Sequence, residues 1–435
     1  MKEIRCSGRF PIPVAWAVSV PTRLPRHHSP TIPMLSPYLQ VPIVVQQAMT
    51  TLSAKWYNAL VSGSGLSRSE FQLVQGYGAI GTTSESLWRI LDQVPPDSFC
   101  RRHDPAKARS FLGAYSDLSE NAIAGGALRF RKCMGDFFAL WENDKANLDP
   151  MPISALQWVR EFVDWACVSL PNALTQKCIN HYKTALLDPT FLAAHLLTAF
   201  KFTQRTAAVP AFTLTSRKLT ELLDRSEPRS IMFNSMDAPG SLAGAWSQAQ
   251  EGGTFNLFGG SQGTDHIAPT LKLTNAGVNV RCTFQKLVSA QARPLARPSY
   301  DPDLKDCTPW FSPAALQSSY ESGLEPSWNP KAMADWEWNF GPNGNLPRAC
   351  VGLVVADGIK LTLTSKAGLT VDEQVDFSRH ASEGIFPFFK RSGAEGWVTD
   401  WSFDRAGNAI VSSSCKPGNP QLLGVLVNGI SEMLG

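Results

Sequence analysis

An α+β fold is what this sequence predicts, with an amino-terminal helical domain followed by an antiparallel, β-rich, sandwich-like domain. Three observations predict it. Apolar residues recur at helical spacing from about Val45 to Arg225. Beyond position 250 the apolar period shortens to two, as in Val278, Val280 and Cys282. Finally, Asp357-Gly358 lies between two extended segments. An Asp-Gly pair supplies the positive φ angles of a type I′ turn, so residues 350–365 are read as a β-hairpin.

The elements follow in chain order. Residues 1–45 carry Lys2, Arg5, Arg9, Arg23 and Arg26 against Glu3, and are rich in proline. They read as a disordered or targeting-like tail. Val14–Val20 resembles a short signal-peptide centre, yet Pro11, Pro13 and Pro21 flank it and forbid a continuous presequence helix. Met34 and Met49 are alternative starts.

The helical domain spans 46–225. Ser67 and Glu70, with Leu66 and Phe71, have the spacing of a capping box with its staple. Thr82–Glu85 repeats the signal ahead of Leu87, Trp88, Ile90 and Leu91. A long helix is expected over 119–142, weakened at Gly125-Gly126. The next segment, 152–167, places Leu156, Val159, Phe162, Val163 and Ala166 on one side, with Trp158 and Trp165 stacked along a face. Pro171 opens another helix, and Asp188-Pro189 caps the one that carries His195.

Residues 226–252 are small, polar and glycine-rich and read as a linker. The β domain, 253–435, starts with strands at Thr254–Phe258, Thr270–Thr274 and Val278–Val288. It carries a Pro/Trp-rich insertion at 294–348, and insertions of that length often cover or form a site. Ile385–Phe389 is read as an edge strand because Pro387 donates no ladder hydrogen bond. Trp397, Thr399, Trp401 and Phe403 share a face, Asp404–Asn408 and Pro417–Pro420 are turns, and the apolar run Leu422–Val427 is a central strand.

Composition narrows the function classes. A chain of 435 residues with 43% hydrophobic residues buries a large core, and a net charge of +3 gives no basic footprint for nucleic acid. No apolar run is long enough for a transmembrane helix. Nine scattered cysteines without a Cys-x-x-Cys pair, and no Asn-x-Ser/Thr sequon, point to a reducing, cytoplasmic setting rather than a disulfide framework or a zinc site.

Motifs for catalysis fail on context. Gly259-Gly-Ser261-Gln-Gly263 has the spacing of a nucleophile elbow, but a strand rather than a helix is expected after it. Ser261, Asp265, His266 and His380 are the catalytic candidates, with Asp357 or Asp376 as the acid that would orient His380. Asp301, Asp303 and Asp306 lack the glycine and glutamate of an EF-hand. His195, alone on an apolar helix, reads as a core residue. The chain is read as carrying no phosphate loop, dinucleotide fingerprint or metal motif, so neither cofactor nor metal is expected. Trp310, Phe311, Trp328, Trp336 and Trp338 are the binding candidates, either as a lid on the sheet or as an aromatic-lined pocket for an apolar small molecule or protein partner.

Arg297-Pro298, Trp310–Leu316, Gly384–Phe389 and Gly418–Val427 resemble segments of a group of uncharacterised proteins from filamentous fungi. The resemblance covers about residues 250–430. It implies a fungal origin and a non-standard fold, and it supplies no catalytic residues. The expected function is a non-catalytic binding or accessory protein, set in fungal specialised-metabolite or toxin biosynthesis. A cyclase or hydrolase acting between the domains, and a membrane-active toxin-like protein, are the alternatives.

Overall fold

The longest strand organises everything around it. β5 (Arg348–Ser365) runs for 18 residues without turning back. It is flanked from Gly352 to its end by β4 (Val278–Gln291), antiparallel, from Val278↔Ser365 to Gln291↔Gly352. On its other side the partner changes. The first half pairs with β10 (Gln421–Gly429) and the second half with β9 (Ala409–Cys415). The computed structural model describes residues 43–75, 79–102, 108–121, 125–149, 151–203, 209–237, 240–246, 272–273, 275–321, 336–381, 384–389 and 396–434.

The expected hairpin at Asp357-Gly358 is therefore absent, and the same two residues do something else. Gly358 has φ +63°, and a Cβ there would meet the Gln285 side chain at 2.7–2.8 Å. At this point the alternation of both strands changes phase. Phe284, Ile359, Leu361 and Leu363 face one core, whereas Val288, Ala290, Leu353 and Val355 face the other. A positive-φ residue lets a strand change phase without leaving the sheet. Asp357, 4% exposed, accepts from the Gly418 and Asn419 N–H groups at 2.9–3.2 Å, and so holds the connection from β9 to β10 where β5 changes partner.

The sheet has eight strands, in the order β2-β1-β10-β5-β4-β3, with β9 and β8 (Trp397–Phe403) beside the second half of β5. β3 (Arg229–Asn234) lies within the residues read as a linker and forms the edge beside β4. β1 (Phe71–Gln75) and β2 (Cys100–Arg102) come from the expected helical region and pair in parallel, so the sheet is mixed. The capping-box residues close a turn instead of a helix: Phe71 N–H bonds the Ser67 carbonyl and the chain enters β1. Phe71 and Leu73 face one core as a strand would place them. Lys272 and Leu273 are helical, where a strand is expected over 270–274.

Helices cover the sheet on both faces. α1 (Ile43–Ser64) buries Trp56, Tyr57, Leu60 and Val61 against β3 and its neighbours. α2 (Ser84–Leu91), capped by Thr83 rather than Thr82, and α3 (Phe111–Asn121) pack on the opposite face. The long helix expected over 119–142 is broken into the end of α3, α4 (Gly125–Met134) and α5 (Phe137–Lys145), with Gly135 at φ +51° between the last two. α6 (Ala155–Ser169) starts at the Ser154 cap and buries Trp158, Phe162 and Ala166; Leu156, expected inside, is 80% exposed. α7 (Asn172–Ala185) follows Pro171, and α8 (Pro189–Thr203) is capped by Asp188 Oδ1 on Thr190 N–H at 2.9 Å. α9 (Ser216–Asp224) leads into β3. In the second half of the chain come α10 (Pro313–Glu321), α11 (Val371–Ala381) and α12 (Ile430–Leu434). Residues 384–389 form a two-stranded ribbon, β6 (Gly384–Ile385) with β7 (Phe388–Phe389), apart from the main sheet rather than at its edge.

Helices thus predominate before position 250 and strands after it, as an α+β chain requires, but the packing crosses that position. One core joins Leu87, Phe111 and Phe200 to Trp310, Leu353 and Val425. A third, smaller core lies among α4–α8, around Trp141, Trp158, Phe162 and Tyr182.

The phase change yields a test. Asp357→Ala removes a charged acceptor from buried N–H donors and should lower unfolding stability by about 3 kcal/mol. Gly358→Ala forces an L-residue into positive φ and should cost about 2 kcal/mol or more. Denaturant midpoints unchanged in both variants would contradict the pivot.

Candidate functional site: an arginine cluster with open donors

The connection from α2 to β2 crosses the start of β5, and buried charge collects there. Gln93 C=O accepts from Cys350 Sγ at 3.4 Å. Arg348, on the first residue of β5, donates from Nε to Pro95 C=O and from Nη2 to Pro342 C=O, both at 3.2 Å. Its Nη1 lies 3.6 Å from Asp97, and its guanidinium carbon lies 5.6 Å from the Trp246 ring centroid. Burial lowers the Arg348 pKa, and Asp97 opposes that shift.

Arg101 is the second guanidinium. It sits on β2 beside Val74 of β1, is 4% exposed, and touches the Cys350 thiol. Burial raises the Cys350 pKa and Arg101 pulls it back. Arg101 Nε and Nη2 have no hydrogen-bond partner. A buried cation with two open donors is costly, because desolvation is not returned by an acceptor. Other open valences surround the same crossing. Gln72 gives its amide N–H groups to Pro96 and Ser98, yet its Oε1 is unpartnered. Trp246 Nε1, beside Arg348, and Asn428 Oδ1, on the residue paired with Ala349, are unpartnered as well. Donors and acceptors left open around one crossing are available to a small ligand or water.

Asp92 closes the cluster towards α3. Its carboxylate accepts from Ser110 Oγ and Leu112 N–H, each at 2.7 Å. Burial still raises its pKa to about 6 against those two bonds. Asp92, whose charge also bears on the Cys350 thiol, is thus partly protonated in mildly acidic solution.

The residues expected from sequence fall elsewhere. Ser261, Asp265, His266 and Trp328 lie outside the described residues. His380, on α11, bonds through Nδ1 to the Asp376 carbonyl at 2.9 Å, one turn back on its own helix, with the Asp376 carboxylate at 3.4 Å. Asp357 is occupied by the backbone of Gly418 and Asn419. Trp310 and Phe311 are core residues: Trp310 donates to Ala211 C=O at 2.8 Å and packs on Phe111, Tyr115, Phe200 and Phe212. Trp336 donates to Tyr320 C=O at 3.0 Å and lies against Phe340. Trp338 is 70% exposed. Among the described members of this set, only Trp310 and Phe311 are in ring contact with each other, and both are buried in the core.

His195 is a core residue: Nδ1 bonds Phe191 C=O at 2.9 Å, Nε2 meets Tyr182 Oη at 3.1 Å, and burial drives its pKa down to about 3. Trp158 packs on His195 and Trp165 on Trp141, so the two indoles do not stack together. Asp301 and Asp303 face Arg217 of α9, at 2.5 and 3.4 Å. No group of three metal-binding side chains occurs among the described residues, and none of their helices is long and apolar enough to cross a membrane.

Reading the chain as free of a dinucleotide fingerprint misses Gly76-Tyr-Gly78-Ala-Ile-Gly81, which has the Gly-x-Gly-x-x-Gly spacing between β1 and α2. Gly76 and Gly78 lie outside the described residues. Beyond them Ala79 pairs with Gln421, and Ile80 N–H bonds Pro420 C=O, so the chain rejoins the sheet before the helix begins. The fingerprint needs a direct strand-to-helix turn, which this return does not provide. The arginine cluster leaves a fainter trace: Arg101-Arg102 stand in an otherwise mixed segment, and nothing local marks Arg101 as buried.

Asp92 makes the cluster pH-sensitive. Its folded pKa lies above its unfolded value, so its contribution to stability is complete below about pH 4 and lost as pH rises through about 6. Asp92→Asn should gain on the natural protein by about 2–3 kcal/mol between pH 4 and 7, measured by chemical denaturation. A pH-independent difference would contradict the burial. Comparison with family models, with curated proteins and with solved structures gives no match.

Proposed function

We propose that the chain is a non-catalytic binding or accessory protein whose ligand is a small acidic molecule, held by its carboxylate or phosphate against Arg101. The observation that carries this reading is the pair of open donors on a guanidinium that is 4% exposed. Two adjacent N–H groups of one arginine match the two oxygens of a carboxylate or phosphate, and such a pair is strong in a site shielded from water. Trp246, partly buried beside Arg348, offers apolar surface for the body of the ligand. The aromatic-lined site expected at the insertion gives way to this one, since Trp310 and Phe311 are committed to the core. The fungal specialised-metabolite setting belongs to the same proposal and rests on the carboxyl-terminal resemblance.

Binding of phosphate and of benzoate, followed by thermal shift and calorimetry, tests the reading. Either anion should raise the unfolding midpoint of the natural protein in a concentration-dependent way, as linkage requires. Arg101→Met should abolish that response. It should also stabilise the ligand-free protein by about 1–3 kcal/mol, because an uncompensated buried charge is removed. An equal response in both proteins, or a ligand-free Arg101→Met that is markedly less stable, would overturn it.

A further inference from the structure

Two cysteines far apart in sequence meet between helices. Cys133 stands in the last turn of α4 and Cys178 in the middle of α7, and their sulfur atoms are 2.7 Å apart. A disulfide needs about 2.05 Å. The sulfur atoms already stand well inside van der Waals contact, so little movement separates the two thiols from a bond. The two sites differ in access. Cys178 is fully buried among Phe130, Phe162 and Tyr182, whereas Cys133 packs at the rim of that core and is half-exposed. Arg131 and Lys132 precede Cys133 on exposed positions, and Lys177 precedes Cys178.

We propose that Cys133 and Cys178 form a two-electron redox site that closes to a disulfide on exposure to a peroxide and reopens with a thiol reductant. Access assigns the roles. The Cys133 thiolate attacks one peroxide oxygen, the O–O bond breaks, and the departing oxygen leaves as water after taking a proton, giving a Cys133 sulfenic acid. Cys178 then gives up its proton and attacks the Cys133 sulfur, and hydroxide leaves as the second water. Two thiols and hydrogen peroxide thus become one disulfide and two waters. Burial and the neighbouring Cys133 raise the Cys178 pKa to about 12, and Lys177 opposes them, so Cys178 waits as a thiol until the sulfenic acid is beside it. A buried partner at contact distance also protects the sulfenic acid from further oxidation. The bond would tie α4 to α7 across Phe130, Phe162 and Tyr182, joining segments separated by two helices. This inference is independent of the Arg101 reading.

The full chain, reduced and then treated with a small excess of hydrogen peroxide, provides the test. Peptide mapping without reduction should recover one cross-linked species joining the Cys133 and Cys178 peptides, and intact mass should show the loss of two hydrogens. Dithiothreitol should reverse both, and the oxidised form should unfold at a higher temperature than the reduced form. Cys133→Ser, a change at the rim, should abolish the cross-link while the remaining thiols keep their reactivity. A cross-link between other cysteines, or Cys133 accumulating as sulfinic acid with Cys178 still a thiol, would overturn the proposal.

Discussion

The carboxylate of Asp357 is the point on which the sheet turns. An uninterrupted strand of 18 residues has to satisfy two partners on one side, and each partner brings its own hydrophobic face. Without a phase change, residues that pack under α1 would emerge on the side of α2 and α3. The positive φ of Gly358 changes the phase, and the adjacent Asp357 binds the amides of Gly418 and Asn419 that join the two partners. Hydrogen bonds to a buried carboxylate are about twice as strong as neutral ones, so the loop is fixed where the strand changes neighbour. The two cores on opposite faces follow from that one position.

Charge is handled differently at the other end of β5. There Arg348 is supported by two carbonyls, an indole face and a half-exposed aspartate, whereas Arg101 has a thiol on one side and open donors on the other. Burying a guanidinium without a hydrogen-bonded anion sets stability against function, and such sites are where binding energy is available to a ligand.

Aromatic residues of the insertion do structural duty. Trp310 reaches from the insertion to α3 and α8, and its indole N–H is spent on the Ala211 carbonyl. The insertion is therefore a third layer of the core. Leu295, Leu304, Trp310 and Phe311 hold the region from 294 to 311 against the core despite its prolines, through burial rather than through secondary structure.

Much of this was written locally. The cap at Asp188, the start of α7 at Pro171, the core role of His195, and the strands β4, β8, β9 and β10 all follow from spacing, since cap chemistry and alternation act over a few residues. Other features depend on partners distant in the chain. Phe71–Gln75 is too short to announce a strand, and becomes one because β10 offers it a ladder. Asp357-Gly358 has the local chemistry of a turn, and the pairing of β5 with β4 from Gly352 to Ser365 overrides it. Leu156 and Trp158 are near neighbours of similar apolarity, and only the packing against His195 and α7 chose the indole. By itself the sequence determined the class of the fold and most of its helices and later strands, because those rest on nearest-neighbour forces. Tertiary structure alone decided which arginine is buried, which cysteines meet and where the sheet changes phase, because each of these is a contact between residues that only folding brings together.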